Sequence, residues 1–536
     1  SVVKTAARST IFFCLLLLLL FLGTILFHLG SLPFSGSDEP RYARIAYEML
    51  AEGRWVTPTL EGRPWLEKPP LYYWITIPIY RFLGASEATA RLGPAICALL
   101  TAAAVVWLGA RLWSLRAGFL AAAILLSSLG FAGFARSAST DMPMTACVTG
   151  ALAILAVAAI KTDSAPWIVW LAYVLLGFAV LAKGPVALIL VGGIAAAFWC
   201  FDERGGSLRR WKIPLGLFVT AAVVLPWFLL AFRQNGFAFI AVFFVNHNLA
   251  RYISDIHHHT EPFYYYVPVL LALFFPWSGW LLRLAPESIG LTVRGWRRWN
   301  RSTLFLLCWI LFPVIFFSIS RSKLAGYLLP VLPPMALLAA ARFDALLRPE
   351  SGRPKALAAP WFHLGLSAAA AAGAVVVFQK NYGGSCRVGI AIAAATLIPG
   401  LVAFFFGRAG NWSGAWRATL AQGLLLPVAV AQFAFPVLGQ YHSSRDIASQ
   451  IAIYRSSGEP TASFRFFHHT LHYYTGYQIA EDLADGMALE RFALAHPRFL
   501  LVTEADSLNE VEKLQGYSAT LLSRQGRLCL LRIAHN

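Results

Sequence analysis

Charge is what this 536-residue chain has least of: Asp, Glu, Lys and Arg make up 13% of it, against roughly 25% in a soluble globular domain. Acid is the scarcer sign, with 26 Asp+Glu against 44 Lys+Arg. Hydrophobic residues fill 58% of the chain and mean hydropathy is +0.62, so a soluble fold is excluded. Cysteine is sparse and odd in number: seven, at 14, 97, 147, 200, 308, 386 and 529, five of them inside long apolar runs. That excludes a disulfide framework and a CxxC metal site, and leaves Cys386 and Cys529 as the one pair able to meet. No Walker A, GxGxxG, HExxH or GxSxG pattern occurs, so nothing supports nucleotide-driven or hydrolytic chemistry.

What is present is apolar sequence in lengths that suit a bilayer. A hydrocarbon core about 30 Å thick needs roughly 20 apolar residues per helix. Thirteen runs qualify, near 10–28, 94–112, 117–135, 143–161, 166–183, 185–201, 213–232, 263–282, 303–320, 324–341, 361–378, 388–407 and 417–437. The expected fold class is a polytopic α-helical membrane protein. The first run follows Lys4 and Arg8 and lacks a small-residue cleavage site, which favours an uncleaved anchor. The start at Ser1 suggests a processed N-terminus.

An odd number of spans puts the two ends on opposite sides, and the positive-inside rule selects which. With the N-terminus in the cytoplasm, the cytoplasmic segments hold twenty basic and six acidic residues, or +14 of the net +18. The basic excess therefore reads as orientation and not as a nucleic-acid surface. The segment 29–93 falls outside, with seven acidic and seven basic residues. Residues 440–536 have soluble composition. Short β-like runs at 462–467, 499–503, 519–522 and 529–533 alternate there with helical stretches such as 443–454, predicting a C-terminal α/β domain, 439–536, on the outer, periplasmic face beside a transmembrane domain, 1–438.

Several outward segments could carry chemistry. Ser37-Asp38-Glu39-Pro40-Arg41-Tyr42 opens an amphipathic helix whose apolar face is 42, 45, 46, 49 and 50 and whose stop is Gly53; Asp38 suits either an N-cap or a contact with a lipid headgroup. Glu67-Lys68-Pro69-Pro70 sets a lysine on an extended turn before Tyr72, Tyr73 and Trp74, where it serves as a phosphate ligand or as an interface anchor. Arg136 and Asp141 flank a short outward connection and suit helix ends as well as a site. Lys183, and Arg321 with Lys323 ahead of Tyr327, are outward cations that topology does not ask for, and hence candidate anion ligands. Arg251 lies on a further outward loop. Glu67 with His247, His257 and His258 could hold a divalent metal, zinc or magnesium, although adjacent histidines diverge and a solvated loop is the plainer reading. No cofactor is required.

Acidic Asp38-Glu39 just after the first span, Glu67-Lys68-Pro-Pro in the first external loop, Arg136 and Asp141, Ala-Lys-Gly-Pro at 182–185 and a soluble tail together resemble the lipid-dependent GT-C glycosyltransferases. Within that class the chain is most similar to the bacterial lipid A aminoarabinose transferases, with protein O-mannosyltransferases further off. The resemblance is good over about 1–345 and weak beyond. It implies a GT-C fold in the inner membrane, undecaprenyl-phosphate-linked aminoarabinose as donor, lipid A phosphate as acceptor, inversion at the sugar, and polymyxin resistance as the outcome. It also implies roles: Asp38, Glu39 and Asp141 as catalytic carboxylates, and Lys68, Arg41, Tyr72, Arg136, Lys183, Arg251, Arg321, Lys323 and Tyr327 around the donor phosphate. A monomer among membrane lipids, with no nucleic acid, is expected. Two alternatives stand beside this reading: a GT-C transferase acting on protein or another glycan, and a lipid transporter or flippase. The second would place charges at the bilayer midplane and show internal repeats, neither of which is visible.

Overall fold

The computed structural model describes residues 2–161, 167–202, 207–244, 261–284, 300–348 and 358–536. Eight helices among these residues are long and apolar enough to cross a membrane, or nine if one bent pair counts as a single span. Three shorter apolar helices, Thr10–Leu26, Ile168–Lys183 and Val186–Phe201, stand beside them. Every predicted run is thus helical in part, but 263–282 is not one continuous helix. It breaks into Tyr266–Leu273 and a 3-10 turn, Trp277–Trp280.

The bent pair is Leu115–Leu126 and Leu129–Ala135, which meet at 70°. Two serines explain the break. Ser127 Oγ donates to the Ala123 carbonyl at 2.5 Å and Ser128 Oγ to that of Ile124 at 2.7 Å, a back-bonding that bends helices. The break is stabilised from the other broken segment. Trp277 Nε1 donates to Ser127 Oγ at 2.9 Å, and Leu129 N–H to the Phe275 carbonyl at 2.8 Å. Both irregular stretches satisfy their backbone inside protein, the condition for non-helical chain at membrane depth. The bend carries the connection 136–141 to the helix Asp141–Ile160 that follows.

Outside the apolar helices, the helix Asp38–Glu52 ends on Gly53 in the left-handed conformation at φ 65°, where a residue without Cβ is unstrained. Ser37 occupies the N-cap and makes no side-chain cap bond; Asp38 is the first helical residue, so its expected capping role is not realised. The helix buries Tyr42, Ile45, Ala46 and Met49 against Tyr72, Tyr73, Ile77 and Tyr80. These belong to the helix Leu71–Leu83, which starts right after Pro69-Pro70 and which is not among the thirteen apolar runs. Between the two helices, strands β1 (Thr59–Leu60) and β2 (Arg63–Pro64) form a hairpin. Glu48 holds its turn, accepting from the amides of Glu61 at 3.0 Å and Gly62 at 3.3 Å.

The C-terminal residues form a five-stranded mixed sheet. Its strands are β3 (Thr461–Phe464), β4 (Glu481–Leu483), β5 (Arg498–Glu504), β6 (Tyr517–Gln525) and β7 (Leu528–His535), in the order β4-β3-β5-β7-β6. The parallel neighbours β4-β3-β5 are followed by antiparallel β7 and β6. β5, with five consecutive buried residues, is the fully covered strand that its apolar run Phe499–Thr503 announces. β4 is three residues long, two of them acidic, and too short and polar to carry a β signal. Cys386 and Cys529 are free thiols, so the disulfide considered for them is not formed.

Candidate functional site

Three connections that are far apart in sequence converge on one triad. Asp141, opening the helix Asp141–Ile160, forms an ion pair with Lys183, the last residue of the helix Ile168–Lys183. Lys183 Nζ in turn lies 5.2 Å from the ring centroid of Tyr327. Tyr327 sits in the 3-10 turn Ala325–Val331, whose Gly326 approaches so closely that a Cβ there would stand 3.4 Å from Asp141 Oδ1 and 2.9 Å from the Phe134 ring. Asp141 and Lys183 keep 18% and 16% of their side-chain surface exposed, so the pair is recessed yet reachable.

The second group stands on the helix Asp38–Glu52. Arg41 Nη2 donates to Asp38 Oδ1 at 2.5 Å and Arg41 Nε to the Ser37 carbonyl at 2.9 Å, while its guanidinium lies 5.0 Å from the centroid of Trp65. Asp38 is the more open carboxylate, with 58% of its side chain exposed. Tyr42 links the two groups. Burial pushes its phenol well above the ordinary tyrosine range, and the negative charges of both Asp38 and Asp141 push it further. Tyr73 behaves alike, through burial first, then the neighbouring Tyr72 and the charge of Glu67. Both phenols therefore keep their protons and can only donate or accept hydrogen bonds, not act as bases.

Asp38 also lines a cavity of about 430 Å³. Its polar lining includes Arg136, Ser35, Ser37 and Asp38, and its apolar lining Leu129, Ala132, Val430 and Phe435. A polar rim over an apolar floor suits an amphiphile.

The remaining predicted residues fall into three groups. Glu67 and Lys68 are half-buried on the turn before Pro69-Pro70. A second set serves the framework. All four acceptor positions of Glu39 are occupied: Oε1 by Arg91 Nε at 2.9 Å and the Ala138 amide at 2.9 Å, Oε2 by Arg91 Nη2 at 2.8 Å and, at 3.5 Å, the Ser35 amide. Tyr72 is fully buried and donates to the Ala90 carbonyl at 2.9 Å. Arg136 donates to the carbonyls of Thr24 at 3.2 Å and His28 at 3.1 Å. Lys323 is buried and donates to the carbonyls of Ser320 at 2.7 Å and Glu261 at 2.9 Å, capping a helix end. Arg321 is exposed. A third set, Arg251, His247, His257 and His258, lies outside the described residues. Among the described residues no group of three or more His, Cys, Asp or Glu could hold a metal.

Sequence reasoning missed Tyr42, taken for part of an apolar face, Trp65, to which it gave no role, and the C-terminal stretch 466–477. That stretch packs on the helix Asp38–Glu52: Arg44 lies 4.8 Å from the Tyr477 ring centroid, and His469 feels the charges of Arg41 and Asp38. Its histidine and tyrosine density was the available signal.

Residues 10–243 match the family model of the dolichyl-phosphate-mannose-protein mannosyltransferases. Over 308 residues the chain is 33% identical to an undecaprenyl phosphate-alpha-4-amino-4-deoxy-L-arabinose arabinosyl transferase of Erwinia tasmaniensis, covering 56% of this chain and 54% of that one. A protein of the same name from Pseudomonas savastanoi pv. phaseolicola is 33% identical over 346 residues, 64% and 63% of the two chains. The alignments thus span less than two thirds of these relatives. Two crystal structures of ArnT from Cupriavidus metallidurans superpose along 98% of both chains at 24% identity, with a TM-score of 0.77 for the form bound to undecaprenyl phosphate and 0.79 for the apo form. The chain has an ArnT-like GT-C fold. The resemblance read from its motifs is borne out. Its multi-pass membrane character follows from the same likeness and from the apolar helices.

Proposed function

We propose that the chain is an inverting glycosyltransferase that moves 4-amino-4-deoxy-L-arabinose from undecaprenyl phosphate to the phosphate groups of lipid A at the periplasmic face of the bacterial inner membrane, conferring resistance to polymyxin. The observation that carries the reading is the convergence of Asp141, Lys183 and Tyr327 from three separate connections beside Asp38 and Arg41. The relatives' names and the undecaprenyl phosphate held by the C. metallidurans protein supply the donor class.

The chemistry fits those groups. In the transfer, the bond between the anomeric carbon and the donor phosphate oxygen breaks, and its electron pair leaves on the phosphate. A lone pair of an acceptor phosphate oxygen forms the new bond from the opposite face, inverting the centre. A polyprenyl phosphate departs as a stabilised anion, so it needs cations and not a proton donor. Lys68, Lys183 and Arg41 would supply them. An ionised acceptor phosphate needs no base, which leaves Asp38 and Asp141 to orient the cationic amino sugar and to stabilise positive charge growing at its anomeric carbon. The cavity beside Asp38 and Arg136 would take one of the two lipids.

The topology belongs to this reading as well. All thirteen apolar segments, the two broken ones included, would enter the membrane with the N-terminus cytoplasmic, and residues 439–536 would form a periplasmic α/β domain above the site. The positive-inside bias and the position of 466–477 against the helix Asp38–Glu52 support it.

Mass spectrometry of lipid A from cells with and without the intact chain tests the proposal. A gain of aminoarabinose is expected. Unchanged lipid A together with newly glycosylated protein would favour the second reading, a protein-modifying transferase, which the family-model match over 10–243 supports. In that case Asp38 would have to act as a general base on a hydroxyl.

A further inference from the structure

The loop before Asp38 is fixed by a residue 440 positions away. Tyr474 Oη accepts from the Phe34 amide at 2.8 Å and donates to Glu87 Oε1 at 2.8 Å, and Glu87 also lies 3.5 Å from Arg445. Phe34 is fully buried, edge-on to Tyr473 at 5.0 Å and under the Arg91 guanidinium at 5.4 Å. Arg91 is itself buried and turns Nη1 onto the same loop, reaching the carbonyls of Leu29 at 3.0 Å and Leu32 at 2.7 Å. Its two bonds to Glu39 then pass the constraint to the Ala138 amide, which Glu39 Oε1 holds. Asp38 is the residue before Glu39, and Asp141 lies three residues after Ala138.

We infer that Tyr474, Arg91 and Glu39 are positioning residues: through two sets of hydrogen bonds joined by the loop 29–37 itself, the C-terminal segment sets that loop and fixes the spacing between the Asp38 and Asp141 segments. The inference rests on the transfer reading above for its effect on rate, but not for its effect on structure. A displacement of about 1 Å at a reacting centre costs on the order of a hundredfold in rate. Buried, bidentate Arg–carboxylate geometry is the kind of contact that holds such a spacing. In this arrangement the C-terminal residues are part of the site's frame and not a separately tethered module.

The test uses the full chain in lipid nanodiscs, with Tyr474→Phe, Glu39→Gln and a control, Glu459→Gln. Tyr474→Phe keeps the ring and removes one hydroxyl. Glu459, in the connection before β3, is buried under Arg498 of β5 and Arg532 of β7, so its substitution weakens that sheet away from these contacts. Hydrogen exchange followed by mass spectrometry is expected to rise for both 29–37 and 136–141 in Tyr474→Phe and Glu39→Gln, and for neither in Glu459→Gln. Exchange that rises in Tyr474→Phe only at 29–37 overturns the coupling. In transfer assays kcat is expected to fall about tenfold for Tyr474→Phe and about a hundredfold for Glu39→Gln, with the donor KM within twofold. Equal losses in Glu459→Gln, or losses that track the melting temperature alone, overturn the positioning role. A wild-type chain that adds no sugar, yet shows the paired exchange changes, refutes the transfer reading and leaves the mechanical coupling standing.

Discussion

Lys183 bonds Asp141 in an ion pair while its ammonium lies 5.2 Å from the centroid of the Tyr327 ring. The cation is thereby held by a carboxylate on one side and a π face on the other. That arrangement costs something, because each charge has given up most of its water. Breaking a recessed pair by removing one partner strands the other charge, at roughly 3–5 kcal/mol when burial is complete. Here both side chains retain some exposure, so the lower end applies. Lys183→Ala and Asp141→Ala are each expected to lower the melting temperature and to reduce transfer at least a hundredfold. Lys183→Arg should recover stability but not rate, since a planar guanidinium does not replace a point charge. Thermal unfolding in detergent and lipid A mass spectrometry of the three variants check both expectations.

The exposed partner behaves differently. Asp38 is 58% exposed and paired with Arg41 only three residues on, and surface pairs of that kind contribute about 0–1 kcal/mol. Asp38→Ala should therefore insert and fold as the wild type does, and Asp38→Ala and Lys68→Ala should each abolish sugar addition to lipid A and with it polymyxin resistance while the protein still inserts. Normal resistance in both variants would refute the assignment of the site.

Gly326 offers a probe that changes no charge. Its backbone lies against the Phe134 ring and Asp141 so closely that an added Cβ would meet the ring at 2.9 Å. Gly326→Ala should push Phe134 and the Asp141 carboxylate apart from the turn, costing about 1–3 kcal/mol as overpacking does, and should slow transfer roughly tenfold without altering donor binding. A rate equal to wild type would mean that the turn yields freely and that Tyr327 need not be held so near.

Much of this was legible in the residues. Length and apolarity announced the apolar helices, and Gly53 announced where the helix Asp38–Glu52 stops; Pro69 and Pro70 announced the turn that holds Glu67 and Lys68, but not the helix Leu71–Leu83 behind it. Lys183 was legible too, because a charge that defies the expected orientation bias stands out against it. Partnership was not legible. Glu39 reads as half of an acidic pair with Asp38, and only the fold reveals Arg91, 52 residues away, taking both of its oxygens. Lys323 and Tyr72 read as phosphate ligands for the same reason and are spent on carbonyls. The break within 263–282 was hidden because Trp, Phe and Leu continue through it, and hydropathy does not register a lost hydrogen-bond ladder. Nor does any local pattern tie Tyr474 to Phe34.

The histidines of that distant segment give the site a pH dependence whose sign can be worked out. His469 is depressed from its usual 6.5 to about 4, by burial first and then by the positive charge of Arg41. A group with a lowered folded-state pKa is neutral in the fold, whereas in the unfolded chain it takes up a proton as pH falls through about 6.5. Stability attributable to His469 is therefore fully present above pH 6.5 and is lost as pH falls from there towards 4, where the folded form also protonates. His469→Gln removes the titration while keeping a polar side chain. The melting temperature of the wild type should drop more steeply than that of His469→Gln between pH 6.5 and 4, and the two curves should run parallel above pH 7. Thermal melts across that range decide the matter: equal slopes would mean that His469 is solvated like an ordinary surface histidine and that 466–477 does not press on Arg41.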